Sequence, residues 1–314
     1  RTSSIQDFFL GGRNIGPWMS AFAYGTTYFS AVIFIGYAGG IGWNFGISAV
    51  WIAIGNALLG SYLAWRILAK RTRALTHELK VSTMPEFFEK RYDSRALKVF
   101  SAVIIFVFLV PYSASVYQGL SYLFEQVLGI PFIYCMIGMA AVTGIYLMMG
   151  GYFAMALTDF IQGIIMIVGI IMMLFYVLTN PNVGGLSKGL SSLKEIDPRL
   201  IAPVGPGGFL PLLSLVVLTS LGSWGLPQMI HKFYAIKDDE SVKRATTIST
   251  LFALLVAGGA YFTGAFGRLF LNNKMPIDVV TGNPNADLVM PKLLEIALPE
   301  ALMGIILILV LSAS

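Results

Sequence analysis

The chain alternates between long apolar stretches and shorter polar ones. Most of the apolar stretches reach the roughly 20 residues that an α-helix needs to cross the hydrocarbon core of a bilayer. The pattern therefore predicts an all-α integral membrane protein with about eight helices. We place these segments at residues 15–39, 47–68, 97–128, 131–149, 152–178, 209–234, 245–270 and 301–314. The chain opens at Arg1 without a methionine, and its last segment is too short to span, so we expect a fragment that is incomplete at both ends.

Basic residues between the apolar segments predict the orientation. The loop at 69–96 and the loop at 235–244 are rich in Lys and Arg, and Lys232 is counted with the second of them. Both loops lie on the same side by parity, and the positive-inside rule makes that side cytoplasmic. A turn at Gly150-Gly151 then faces the cytoplasm, whereas the loops at 40–46, 129–130, 179–208 and 271–300 face outward. The expected location is a cell membrane, plasma or inner.

Composition agrees with a membrane protein and argues against other classes. Hydrophobic residues make up 56% of the chain and the mean hydropathy is +0.76, outside the range of soluble domains. The net charge of +5 reflects the orientation signal and does not indicate nucleic-acid binding. We find no Gly-rich phosphate loop, no Ser-His-Asp pattern and no Cys/His cluster. The sequence therefore predicts neither an enzyme nor a cofactor, and no metal site of the Cys/His type.

Two polar stretches predict short helices. Thr83 and Glu86 have the spacing of a capping box, which predicts a helix along the cytoplasmic surface. Residues 286–298 form an amphipathic pattern in the last outward loop, and this helix could cover the entrance to a cavity.

The first segment has an unusual centre. Gly25, Thr26 and Thr27 lie where a plain spanning helix would carry Leu or Val. A break in a membrane helix is tolerated only where the freed carbonyls face protein, water or an ion. The alternative is that small residues permit close helix packing, and this segment alone does not separate the two.

The sixth segment carries a second candidate break. Gly222, Gly225 and Pro227 fall within six residues, and proline cannot donate the helical hydrogen bond. A simple proline kink is the alternative. Two interrupted helices at matching positions indicate a transporter with inverted repeats. We therefore predict one domain over residues 1–314, with a first repeat at 15–178 and part of a second at 209–314.

Asp159 is an acidic residue inside an apolar segment, a few residues from its cytoplasmic end. A carboxylate there is costly and should face a partner, a water-filled path or an ion. The alternative is a structural residue that water reaches from the interface.

Four motifs in order resemble those of the sodium/solute symporter family: FFLGGRNIGPW, STMPEFFEKRY, IYLMMGGYFAMALTDFIQG and SWGLPQMIHKFYAIKD. The resemblance covers essentially the whole chain. It implies a LeuT-like core of five plus five inverted helices. It also implies that backbone carbonyls of Thr26 and Phe29 bind sodium together with Ala313, and that Asp159 helps the cation to reach or leave the cytoplasm. The substrate positions it implies are Gly25, Tyr28, Ser220, Ser223, Trp224 and Pro227.

The implied activity is sodium-coupled symport of a small organic solute by alternating access. Proline-type carriers have an aspartate at the position of Tyr28 and an aromatic residue at that of Ser223. Sugar-type carriers have amides at Tyr28 and Ser220. A small amino acid or a carboxylate is therefore favoured. The expected partners are the solute, sodium and the lipid bilayer. A sensor fused to a signalling domain and a proton-coupled carrier remain as alternatives.

Overall fold

The computed structural model describes residues 5–29, 37–278, 282–299, 302 and 304, and these residues are mostly helical. The helices are α1 (Ile5–Leu10), α2 (Pro17–Tyr28), α3 (Ala38–Phe45), α4 (50–78), α5 (Met84–Tyr92), α6 (Arg95–Leu128), α7 (Phe132–Thr179), α8 (Leu186–Ile196), α9 (Phe209–Gly222), α10 (Pro227–Ala235), α11 (Asp239–Ala265), α12 (Gly267–Phe270) and α13 (Val289–Ala297).

Several of these helices are long and apolar enough to cross a membrane. In the described part of the chain they are Ala38–Glu78, Arg95–Tyr122, Gly151–Thr179 and Asp239–Ala265. The pair Phe209–Gly225 and Pro227–Ala235, bent by 51°, makes a fifth. The all-α membrane architecture expected from the hydrophobic pattern is therefore confirmed.

The sixth segment is broken where the glycines and the proline predict. Helix α9 ends at Gly222, a 3₁₀ turn covers Ser223–Gly225, and Leu226 takes an extended conformation with ψ of 123°. Pro227 then begins α10, because its missing N–H costs nothing in the first turn of a helix. Helix α7 also breaks as expected at Gly151, with φ of 61° and ψ of 177°.

The first segment is interrupted later than the sequence suggests. Helix α2 continues through Gly25 and Thr26 and ends at Tyr28, followed by the C-cap Phe29, where φ is −101° and ψ is 62°. The Thr26 hydroxyl donates back to the carbonyl of Phe22 at 3.0 Å, so its hydrogen bond is made within the helix. Gly25 faces the ring of Phe252, which a Cβ would approach within 2.3 Å. Gly25 is thus a packing glycine, and the helix ends one turn beyond it.

The prediction of a loop at residues 40–46 was wrong. Residues Ala38–Phe45 form helix α3, and the chain turns at Gly46, whose φ is 60°. The glycines of this stretch allow close packing. A Cβ on Gly42 would lie 2.2 Å from the carbonyl carbon of Gly264 in α11.

The two predicted short helices are present. Thr83 caps α5, with Glu86 N–H donating to its hydroxyl at 3.4 Å and Thr83 N–H donating to the Glu86 carboxylate at 3.2 Å. The amphipathic helix forms as Ala286–Leu288 followed by α13. It packs against α3, where Met290 and Val289 lie over Gly39.

The ends of the helices that carry the basic loops are tied together. Ile15, just before α2, pairs in parallel with Ile236, just after α10. Arg13 donates to the carbonyls of Thr76 at 3.0 Å and Val81 at 2.6 Å. Arg73 reaches Ile236 and Asp239. These contacts place both basic loops at one end of the molecule, as the loop parity predicts, and we refer to it as the basic end.

Candidate functional site

The two interruptions meet around α4. The Tyr28 hydroxyl, at the end of α2, donates to the carbonyl of Thr219 in α9 at 2.8 Å. The hydroxyls of Thr219 and Ser220 approach the side-chain oxygen of Asn56 in α4 at 2.8 and 3.1 Å. The Ser223 hydroxyl donates to the carbonyl of Ser220 at 2.8 Å. Residues predicted from distant parts of the sequence are therefore brought into one polar cluster.

Helix α4 presents carbonyl oxygens to this cluster because it is partly π-helical. Residues Asn56–Leu63 and Trp65–Ala69 form wide turns, which are rare and often occur at functional sites. The carbonyl of Leu59 accepts from Trp224 Nε1 at 2.9 Å. The carbonyl of Gly60 accepts from the Tyr24 hydroxyl at 2.8 Å. Side chains of both interrupted helices are thus anchored on the backbone of α4.

Some polar atoms near the break have no partner among the described residues. The side-chain nitrogen of Asn56 is buried and unpaired, and both polar atoms of the Gln228 amide are buried and unpaired. Turning the Asn56 amide over would only exchange which of its atoms is unpaired. Buried polar groups are normally hydrogen-bonded, so these groups call for water or a ligand. Sequence reasoning missed Asn56 and Gln228, because their only signal is an amide in an apolar segment.

The structure places the remaining predicted positions as follows. Thr26 lies in the last turn of α2, and the last carbonyls of a helix generally have no hydrogen-bond partner within that helix. Phe29 is the C-cap of the same helix, and its N–H donates to the carbonyl of Gly25 at 2.9 Å. Pro227 begins α10, next to the break. Ala313 lies outside the described residues.

Asp159 has a buried partner. Its carboxylate lies 3.5 Å from Nζ of Lys232, and the exposed fractions of these side chains are 19% and 5%. Assigning Lys232 to a basic loop was wrong, since it belongs to α10. Its position was missed because a basic residue near the end of an apolar segment resembles an interfacial one. The neighbouring residue of α10, His231, packs edge-on against Tyr152, with ring centroids 4.9 Å apart.

Comparison with known proteins identifies the family. The model of the sodium:solute symporter family matches residues 8–314. The chain belongs to this family. It is therefore a multi-pass membrane protein of a transporter family rather than an enzyme, and the resemblance seen in the four sequence motifs is confirmed.

The relatives are bacterial carriers. The sodium/proline symporter of Salmonella typhimurium is 31% identical over 99% of this chain and 62% of its own length. The osmoregulated proline transporter OpuE of Bacillus subtilis is 32% identical over 85% of this chain and 54% of its own length. The chain thus spans a little over half the length of these relatives.

A solved structure shows the fold. A Na+-coupled sialic acid symporter in a substrate-bound, outward-open state matches all of this chain and 64% of its own chain, with a TM-score of 0.80 and 17% identity. The family member described here therefore has the symporter fold that the sequence predicts.

Proposed function

We propose that this symporter-family protein carries a small organic solute across the membrane together with sodium. The observation that carries the proposal is the meeting of two interrupted helices, α2 and α9–α10, around the polar cluster on α4. Interrupted helices at the centre of a carrier expose backbone groups that bind ions and substrates. The names of the relatives, which specify sodium and proline, support the same activity.

The sodium site in this proposal uses carbonyls at the end of α2. Thr26 lies in the last turn of α2 and Phe29 is its C-cap, the part of a helix whose carbonyls are not used within it, and oxygen atoms are the ligands that hard cations prefer. Ala313 would complete the site from the last apolar segment. Sodium in this proposal is a transported substrate and not a resident cofactor.

The solute site in this proposal lies beside Tyr28, Ser220, Ser223 and Trp224, with Gly25 and Pro227 flanking it. The hydrogen bonds described for these side chains involve hydroxyl, indole, amide and carbonyl groups and no charged side chain. A solute that is neutral or zwitterionic overall suits such a site, because burying an unpaired net charge is costly. A small amino acid fits best and a small monocarboxylate second.

Coupling requires that each ligand bind more tightly when the other is present, and this effect is reciprocal. Sodium at the end of α2 would fix Tyr28 next to α9, and the solute site would form there. Asp159, near the basic end, would offer a carboxylate to the cation on its way to the cytoplasm. We assign the basic end to the cytoplasmic side of a cell membrane, following the positive-inside rule.

Uptake by the full-length protein in proteoliposomes tests the proposal. A panel of labelled amino acids, carboxylates and sugars would be offered with an inward sodium gradient, with potassium replacing sodium as the control. We expect accumulation of one solute class that needs sodium and is lost when the gradient is dissipated. A proton gradient replaces the sodium gradient in a parallel assay.

The outcomes separate the alternatives. Accumulation driven by protons in the absence of sodium would show a carrier with another coupling ion. No accumulation of any solute, by protein that is monodisperse and folded, would contradict the transport function and favour a sensor.

A further inference from the structure

The ion pair between Asp159 and Lys232 joins two helices that each lie beside a break. Asp159 lies on α7 and Lys232 lies on α10, the helix that follows the break. The lysine side chain is 5% exposed, which is rare for an ammonium group. Charged side chains at membrane depth are costly and mark ion paths or paired charges. The pair therefore demands an explanation beyond surface charge.

The pocket around the ammonium has the groups of a cation site. Nζ of Lys232 lies 3.5 Å from the Asp159 carboxylate and 5.4 Å from the centre of the Tyr152 ring. The face of an aromatic ring attracts cations. The Tyr152 hydroxyl is buried and has no hydrogen-bond partner in the part of the chain that the structure describes. Lys232 thus occupies a place that a carboxylate and a ring face would offer equally to a free monovalent cation.

The distance shows that the lysine is held loosely. Charge-assisted hydrogen bonds between ammonium and carboxylate groups are normally about 2.7–2.9 Å long, so 3.5 Å is long for such a contact. A buried carboxylate needs a counter-charge, and two cations at one carboxylate repel each other. Asp159 can therefore be neutralised by Lys232 or by a mobile cation, but poorly by both together.

We propose that Lys232 is a tethered cation that competes with sodium for Asp159 and so limits the number of sodium ions that the protein holds. This inference rests on the proposed sodium coupling. Because Lys232 is carried by α10, movement of this helix withdraws the ammonium and opens Asp159 to sodium. When α10 returns, the ammonium displaces the ion. Lys232 is thus a positioning residue for ion release.

Equilibrium binding of radioactive sodium to the purified full-length protein tests the competition. The variants are Lys232→Met, the conservative Lys232→Arg, and the double variant Asp159→Asn/Lys232→Met. We expect Lys232→Met to bind one more sodium ion than the wild type, with roughly tenfold tighter apparent affinity, within the usual range of coupling between sites. Lys232→Arg and the double variant should bind the same number of ions as the wild type.

These variants separate competition from a structural role. If Lys232 only stabilised the fold, Lys232→Met would bind no additional sodium, whatever its thermal stability. An unchanged number of bound ions in Lys232→Met, in protein that remains monodisperse, overturns the proposal.

A measurement on the wild type does not depend on the folding of a variant. Acylation of lysines by a small anhydride, read by mass spectrometry, reports how often the Lys232 amine is free. We expect sodium to raise labelling of Lys232 relative to choline and to leave labelling of the exposed Lys70 unchanged. Equal labelling of Lys232 in both salts overturns the proposal.

Failure of the proposed function would look different. If the wild type binds sodium but accumulates no solute, the transport proposal fails while the competition for Asp159 is still decided by ion counts. If uptake is sodium-dependent and Lys232→Met binds no extra ion, only the competition fails.

Discussion

Replacing Gly264 by alanine tests how closely α3 and α11 pack. A Cβ at this position would lie 1.9 Å from the carbonyl oxygen of Ala38 and 2.7 Å from its carbonyl carbon. Both atoms belong to the backbone, so no side chain can rotate away. Ordinary van der Waals contact begins at 3.4 Å, so the two helices must separate by roughly 1.5 Å at this point. A gap of about 0.5–1 Å already loses a quarter to a half of the dispersion energy of a contact, and this separation is larger.

The cost follows from the packing that is lost. Forcing extra atoms into a well-packed interior typically costs about 1–3 kcal/mol. Gly42 lies opposite Gly264 on α3, and a Cβ there would also meet backbone, at 2.2 Å. Because both sides of the contact are rigid, we expect Gly264→Ala to destabilise the protein by the upper value, about 3 kcal/mol.

Thermal unfolding of the full-length protein in detergent measures the effect. The remaining monodisperse fraction is followed by size-exclusion chromatography after heating. Gly258→Ala is the matched control, since it lies in the same helix and a Cβ there meets no atom within 4 Å. Alanine in an unobstructed helix should stabilise by roughly 0.5–1 kcal/mol. If both variants unfold at the same temperature, the close backbone contact is refuted.

Three further changes test other contacts. Thr83→Ala removes the capping box and should destabilise α5 by about 1 kcal/mol, seen as faster hydrogen exchange in that helix, whereas Ser82→Ala should not. Trp224→Phe removes a hydrogen bond worth about 1 kcal/mol and should raise the half-saturation constant of uptake about fivefold. Trp51→Phe, which loses a similar bond at an exposed site, should leave uptake unchanged. Arg13→Gln should speed hydrogen exchange in the turn after α4, because the carbonyls of Thr76 and Val81 lose the Arg13 guanidinium as a donor; unchanged exchange there would contradict the tie at the basic end.

Local signals predicted the elements whose cause is local. The cap of α5 follows from two residues three positions apart, and the break before α10 follows from Pro227 and its neighbouring glycines. The turn at Gly151 likewise needs a residue that accepts positive φ. In these places the physics acts within a few residues, so the sequence suffices.

Glycine misled the prediction where its cause was a distant partner. Gly25 suggested a break, and residues 40–46, which contain Gly42, were expected to form a loop, yet both glycines lie in helices and make room for Phe252 and Gly264. Lys232 was assigned to a loop because its partner Asp159 lies 73 residues away in the sequence. A single sequence does not distinguish a glycine that bends its own helix from one that allows a neighbouring helix to approach closely.

The contacts of α4 with α2 and with the break between α9 and α10 have a consequence for how the family can evolve. Trp224 and Tyr24 recognise the backbone carbonyls of Leu59 and Gly60 and not their side chains. A mutation at Leu59 therefore keeps the acceptor that Trp224 needs, and no compensating change is required. Paired substitutions between these helices should be rare across related sequences. Methods that infer contacts from covariation would therefore overlook a contact that holds the polar cluster on α4 together.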